Sequence, residues 1–160
     1  MIHFQEGDIF TAPAEALVNP VNCDGIMGAG LARRFKERYP NNYKAYLYAY
    51  QRGNLAVGKV FSFKEGNLWI INFPTKDRWY NPSKLEYIDA GLDALIREIP
   101  RLGIKSEQEI PEQGIKSIAI PALGSGLGKL QWDEVKTLMV EKLQHVKNCE
   151  VLIYEPNRRW

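Results

Sequence analysis

Two stretches of this chain place glycines where an apolar run ends, an arrangement that holds anions. Leu17-Val-Asn-Pro-Val-Asn-Cys-Asp-Gly-Ile-Met-Gly-Ala-Gly-Leu-Ala32 leaves an apolar segment, passes three glycines and enters a segment of helical spacing. Without Cβ atoms the backbone can approach a phosphate closely, and the unpaired N–H groups of a first helical turn favour negative charge. Ile118-Ala-Ile-Pro-Ala-Leu-Gly-Ser-Gly-Leu-Gly128 repeats the pattern. One such turn is more often structural than functional. Two of them, each following a strand of one α/β sheet, predict a cleft for a diphosphate.

Other residues could act beside these loops. Lys76 follows the apolar run Leu68–Phe73 and Pro74, which puts it at a strand end facing the cleft. A lysine in that setting is usually a surface charge, but partial burial, or Arg78 nearby, would lower its pKa and free the amine to attack. The stretch Lys76-Asp-Arg-Trp-Tyr-Asn-Pro-Ser-Lys84 interleaves cations with Trp79 and Tyr80, as a single-strand nucleic-acid platform would; the two aromatics could equally anchor the loop. Asp8 after Gly7 has the context of a turn carboxylate. Asn22 reads as a turn residue bonding its own backbone or as an amide that bonds hydroxyls through both its ends. Cys23 lies in the first loop, yet neither His3 nor His145 falls where it could serve as its base, and no zinc-ligand spacing is present.

These residues need elements to position them. Ile2–Gln5, Ala16–Asn19, Lys59–Lys64, Leu68–Phe73, Ser117–Pro121 and Glu150–Tyr154 are short apolar runs bounded by Gly, Pro or Asn and read as strands. Gly30–Tyr39, Asn42–Arg52, Leu85–Ile99 and Trp132–Val146 carry helical spacing. The alternation predicts a three-layer α/β/α sandwich on a mixed, mainly parallel six-stranded sheet, with a hairpin around Glu65-Gly66-Asn67. Gly-Ile-Lys-Ser occurs at 103–106 and again at 114–117; the polar stretch between them is expected to be an exposed insertion.

At 160 residues the chain suits one domain, residues 1–160. Its 21 basic and 19 acidic residues are spread throughout, so any nucleic-acid contact must be local. Two distant cysteines form no disulfide framework and fit a reducing cytoplasm. The N-terminus has no basic segment followed by an apolar one, and no run approaches eighteen apolar residues. A non-exported, non-membrane protein is expected, and a monomer.

Gly7-Asp8-Ile9, Leu17–Leu31 with its Asn-Pro-Val-Asn core, and Ser117–Trp132 resemble the signature stretches of the macrodomain family, a likeness covering essentially the whole chain. Within it, Asn72-Phe-Pro-Thr-Lys76, Trp79 and Gly124-Ser-Gly-Leu-Gly-Lys-Leu-Gln-Trp132 look most like the branch of DNA ADP-ribosyl glycohydrolase antitoxins (DarG), and more distantly like the terminal ADP-ribose protein glycohydrolases. The resemblance implies an ADP-ribose ligand and neither metal nor cofactor. It implies that Asp8 accepts from the adenine amino group and that Ile9 donates its backbone N–H to the ring. Asn22 would orient the distal ribose. Gly28, Gly30, Leu31, Pro121, Gly124, Ser125, Gly126, Leu127 and Gly128 would line the ligand, chiefly with backbone N–H groups on the diphosphate. Tyr154 would stack on adenine or serve as a core tyrosine.

By the same resemblance Lys76 is the catalytic residue, attacking the anomeric carbon or positioning the scissile bond, with Arg78, Trp79 and Tyr80 as DNA contacts. The protein-directed relatives carry an aspartate where this chain has Gly128. Lack of an acid matters less when the leaving group is a thymine ring nitrogen, whose charge spreads over two carbonyls. The implied substrate is therefore ADP-ribosylated single-stranded DNA, with a DNA ADP-ribosyltransferase toxin as partner. A non-catalytic ADP-ribose reader, and a hydrolase of protein carboxylate esters or O-acetyl-ADP-ribose, remain as alternatives. Antitoxins of this branch usually carry a further C-terminal domain, so the chain reads as an excised domain or a stand-alone relative.

Overall fold

The computed structural model describes residues 1–103 and 114–156. Its strands are β1 (Ile2–Gln5), β2 (Ala16–Val21), β3 (Phe61–Glu65), β4 (Leu68–Pro74), β5 (Ser117–Ile120) and β6 (Glu150–Tyr154). The helices are α1 (Gly30–Arg38), α2 (Pro40–Gln51), α3 (Leu85–Glu98) and α4 (Trp132–Leu143), with short 3₁₀ turns at Ile9–Thr11 and Ile99–Arg101. The strands form one six-stranded sheet in the order β1-β6-β5-β2-β4-β3. All neighbours are parallel except β3, which pairs β4 antiparallel. The expected α/β/α architecture is what forms. The insertion expected at 103–116 falls mostly on 104–113, outside the described residues.

Alternate residues of each strand point to opposite faces, and this sorts the core. Val18, Ile71, Phe73, Ile118, Ile120, Val151 and Ile153 face the side where Ile88, Leu92 and Leu95 of α3 and Val135 and Met139 of α4 pack. Leu17, Ile70, Ala119 and Tyr154 face the other side, against Phe35 of α1 and Ile9. Beside them, Tyr46 of α2 packs on Val21 and Met27. Both faces are covered, which is why the strands read as near-continuous apolar runs.

Two boundaries differ from expectation for identifiable reasons. β2 continues past Asn19 through Pro20 to Val21. The Val21 carbonyl faces β4 and accepts the Thr75 amide at 2.8 Å, so the missing N–H of Pro20 falls on the opposite side. There β2 pairs β5 only through Ala16 and Leu17, and a proline there breaks no ladder bond. Helix α2 starts at Pro40 rather than Asn42; proline suits a first helical position, where no N–H is needed.

A reciprocal pair of buried amides ties α2 to the sheet. Asn42 Nδ2 donates to Asn72 Oδ1 at 3.1 Å and Asn72 Nδ2 to Asn42 Oδ1 at 2.9 Å. Asn19 Nδ2 of β2 reaches the same Asn72 oxygen at 3.1 Å. All three residues are fully buried.

Helix α3 lies close on the sheet at Gly91. A Cβ added there would stand 2.3 Å from Cζ of Phe73, a ring with no exposed surface into which it could swing. Glycine to alanine within a helix normally stabilises; here overpacking reverses the sign. Gly91→Ala is expected to destabilise the fold by about 1–3 kcal/mol, read as a lowered urea midpoint. A raised midpoint would contradict this packing.

Candidate functional site

Because β2, β4, β5 and β6 are parallel, the segments leaving their C-terminal ends share one edge of the sheet, where ligands of open α/β sheets bind. The first loop (residues 22–29) runs from β2 to α1, the second (121–131) from β5 to α4, and residues 75–84 run from β4 to α3. Leu127, at the tip of the second loop, has Cδ1 3.2 Å from the place a Cβ on Gly30 would take. The two glycine loops therefore meet. Neither Ala29, before α1, nor Gln131, before α4, caps its helix with a side-chain bond. First-turn N–H groups so left can receive an anion.

The first loop is built on Asn22. Its Oδ1 accepts from the Asp24 amide at 2.9 Å and the Tyr46 hydroxyl at 2.9 Å, and its Nδ2 donates to the Ile26 carbonyl at 2.8 Å. Burial pushes the Tyr46 hydroxyl well above its ordinary pKa, with Gly25 and Ile26 backbone bonds opposing and Cys23 and Asp24 adding, so it stays a donor. Asn22 thus braces its own loop, the turn role open to it from sequence. The remaining Nδ2 hydrogen is its capacity for a hydroxyl. Burial, with Asp77 and Asp24 adding, pushes the neighbouring Cys23 thiol up to about 11. At neutral pH it stays protonated and unreactive.

The second loop is held by close packing. A Cβ on Gly128 would stand 2.5 Å from both the Gly124 carbonyl oxygen and Ser83 Oγ. Ser83 is buried, and its amide donates to the Gly128 carbonyl at 3.0 Å. Its hydroxyl has no hydrogen-bond partner among the described residues. The position read as lacking an acid is therefore filled by a neighbouring loop. A cavity of 510 Å³ borders the outer flank of this loop, lined by Ser125, Lys129–Asp133 and Pro156. It contains neither Lys76 nor Asn22 and shares only Ser125 with the predicted ligand residues.

At the far end, Asp8 Oδ1 accepts the Phe10 amide at 3.0 Å and Oδ2 pairs with Arg34 Nη2 at 2.9 Å. Burial opposes its charge, but the Phe10 amide, Arg34 and Arg38 together outweigh this and hold the carboxyl below its ordinary value. Tyr154 packs in the core with Ile9 and is only 8% exposed. That is the core alternative for this residue.

Lys76 follows buried Thr75 and is half-buried, its Nζ 3.4 Å from the Trp79 carbonyl oxygen. Burial lowers its pKa, and Lys129 lowers it further. The sequence pointed to burial or Arg78; burial holds, but Arg78 is spent elsewhere. Its Nη1 pairs with Asp24 Oδ1 at 2.8 Å, and Asp24 Oδ2 accepts the Trp79 amide at 2.8 Å. Asp24 thereby clamps the 76–81 segment to the first loop, and the Cys23 amide adds a bond to the Asp77 carbonyl. Trp79 and Tyr80 stay 57% and 65% exposed, edge to face at 5.5 Å.

Asp24, Lys129, Tyr46 and Ser83 were missed by the sequence reading. Asp24, a lone carboxylate inside an anion loop, was the one readable signal, since only a cation or amide partner makes it tolerable there. The others act through contacts between distant segments.

Two converging glycine loops on uncapped helices at the C-terminal edge of a parallel sheet give an α/β domain with room and free N–H groups to receive an anion, and Lys76, its basicity lowered, stands beside it. A model of the Macro domain family matches residues 18–139, and the chain belongs to that family. It is 42% identical over 160 residues to the DNA ADP-ribosyl glycohydrolase of Thermus aquaticus, covering 98% of this chain and 41% of that protein. It is similar to the macrodomain of Mycobacterium tuberculosis DarG, with a TM-score of 0.88 at 45% identity, covering 98% and 99% of the two chains. The structure of Thermosipho africanus DarTG in complex with ADP-ribose matches with a TM-score of 0.85 at 32% identity, over 99% of this chain and 42% of that one. The chain spans about two fifths of the length of the DNA ADP-ribosyl glycohydrolases it matches.

Gly128→Ala is expected to lower the unfolding midpoint by the equivalent of about 1–3 kcal/mol, because a backbone carbonyl cannot move aside as a side-chain tip can. Full tolerance of alanine there would show that the second loop is looser than its contacts indicate.

Proposed function

We propose that residues 1–160 form one macrodomain that acts as an ADP-ribosyl glycohydrolase, releasing ADP-ribose from thymine bases of single-stranded DNA in the cytoplasm. The observation that carries this reading is the Lys76 amine, weakened as a base by burial and Lys129 and set beside the exposed Trp79–Tyr80 pair. The names of its relatives support it, as does a Thermosipho africanus protein, 34% identical, described as a fusion of DNA ADP-ribosyl transferase and DNA ADP-ribosyl glycohydrolase. A transferase toxin is accordingly the proposed partner. Among the described residues no helix is long and apolar enough to cross a membrane.

In this reading Asp8 and the Ile9 amide take adenine, the two loops take the diphosphate, and Asn22 offers its remaining N–H to the distal ribose. Lys76, as the free amine, attacks the anomeric carbon. The bond from that carbon to the thymine ring nitrogen breaks, its electron pair leaves with the base, and the base takes up the proton that lysine sheds. Water then hydrolyses the lysine-linked ribose and restores the amine. A leaving group that delocalises its own charge needs no side-chain acid at position 128.

Lys76→Ala is expected to abolish release from a modified oligonucleotide while ADP-ribose still binds by calorimetry. Undiminished release would overturn the lysine mechanism, and ligand binding without turnover by the parent protein would identify a reader.

The pH dependence has a defined sign. Only the deprotonated amine attacks, so kcat/KM should rise with pH, with a midpoint below the ordinary lysine value of 10.5. Removing a like charge favours the ammonium, so Lys129→Ala should move that midpoint upward. A downward move would contradict the assigned cause.

A further inference from the structure

Asp8, the residue assigned above to the adenine amino group, is held by a closed set of three contacts. Its Oδ1 accepts the Phe10 amide at 3.0 Å. The Phe10 ring carries the Arg34 guanidinium, whose carbon lies 4.7 Å from the ring centroid, and Arg34 Nη2 returns to Asp8 Oδ2 at 2.9 Å. Phe10 is fixed in turn. Its ring stands 4.8 Å from that of Phe35, a residue of α1 with no exposed surface, and the Arg38 guanidinium lies 4.6 Å from its centroid. The turn's backbone adds its own anchor, because the Thr11 amide and hydroxyl donate to the Asp8 carbonyl at 3.0 and 2.7 Å.

The Arg34 and Asp8 side chains are 49% and 37% exposed, and an isolated pair so exposed contributes little to stability. This pair is not isolated. A guanidinium already laid on a ring loses less freedom when it bonds a carboxylate, so the pair fixes a direction more than it adds energy. Each Asp8 oxygen gives one lone-pair position to a protein donor, and those two bonds aim the positions that remain. The carboxyl is held ionised, and an ionised carboxylate accepts but cannot donate. A purine with an amino group facing it supplies a donor. A purine with a carbonyl there supplies a second acceptor, and its ring N–H meets the Ile9 amide, donor against donor. Such a base is rejected only as far as the carboxylate cannot turn away from it.

We propose that Arg34 positions the base reader of the cleft: stacked on Phe10 and bonded to Asp8 Oδ2, it keeps the carboxylate from turning and so makes the cleft select an aminopurine over an oxopurine. This role rests on the reading of Asp8 and the Ile9 amide as the adenine contacts, but binding alone reads it out. The probes are ADP-ribose and its hypoxanthine analogue, measured by calorimetry on the whole chain. Arg34→Met keeps apolar contact with Phe10 and removes every donor. It is expected to weaken ADP-ribose binding roughly 3- to 10-fold while the analogue changes by less than about twofold. Arg34→Lys keeps the charge but not the planar fork and should fall between the parent and Arg34→Met. In an Asp8→Asn background the amide donates as well as accepts and meets either base. There Arg34→Met should change neither affinity, since a residue that acts through Asp8 has nothing left to aim.

Equal losses on the two ligands, parent-like ADP-ribose affinity in Arg34→Met, an Arg34→Lys protein that matches the parent, or an Arg34→Met loss undiminished by Asp8→Asn would each overturn the role of Arg34 and leave Asp8 as the reader. A parent that binds both ligands alike, or an Asp8→Asn protein that still prefers ADP-ribose, would instead refute Asp8 as the base reader and the role of Arg34 with it. The expected selectivity in a protein that releases nothing from modified DNA would uphold Arg34 and refute the proposed reaction.

Discussion

The side-by-side pairing of β2 and β4 is the constraint on which the site depends. Their register runs from Ala16↔Trp69 to Val21↔Pro74, so both strands end at the same level, and the Asn22 loop and the Lys76 segment leave the sheet together. The buried amides of Asn19, Asn42 and Asn72 hold this pair. Asn72 accepts from both the neighbouring strand and α2, and an apolar residue there would leave the Asn42 side-chain amide without its partner and Asn19 with only the Met27 sulfur. The same hydrogen bonds that cost desolvation on folding therefore fix where the lysine emerges relative to the glycine loop.

From that edge outward, order passes through progressively weaker devices. Asn22 braces the first loop internally, the Tyr46 hydroxyl braces Asn22, and Asp24 carries the bracing across to Arg78 and Trp79. Asp24 is nearly buried whereas its partner Arg78 is 56% exposed, so this ion pair is partly screened and its value is geometric more than energetic. It sets the 76–81 segment against the first loop and leaves the Trp79 and Tyr80 rings outside. Lys76 lies on the inner side of the same segment, where partial burial and a second lysine oppose its charge.

Much of this was legible in the sequence. The strands could be read because the sheet is covered on both faces, and each therefore appears as a compact apolar run. Glycine loops could be read because a backbone that must approach an anion excludes Cβ atoms. Lys76 could be placed at a strand end, though from the residues alone it was more readily a surface charge, and only family resemblance singled it out. What could not be read are the contacts between loops. Lys129 reaches Lys76 across more than fifty positions, and Arg78, expected to tune that lysine, is drawn off by a carboxylate from a third segment. No local pattern encodes such a choice of partner.

Gly128 shows how the structure changes the meaning of a residue that the sequence identified correctly. Read alone, glycine in place of an aspartate is the loss of a group, and restoring the group should restore its chemistry. The packing says otherwise. Ser83 Oγ and the Gly124 carbonyl occupy the space next to the Gly128 Cα, so the loop is built around having no side chain there, and an acid could enter only if two segments rearranged. The hydroxyl of Ser83 faces this spot without a hydrogen-bond partner among the described residues, a cost that the close approach of the Ser83 amide to the Gly128 carbonyl offsets only in part. Position 128 thus has no room for an acidic side chain of its own. The reaction proposed above, in which the leaving group carries its own negative charge, is consistent with that packing of the second loop.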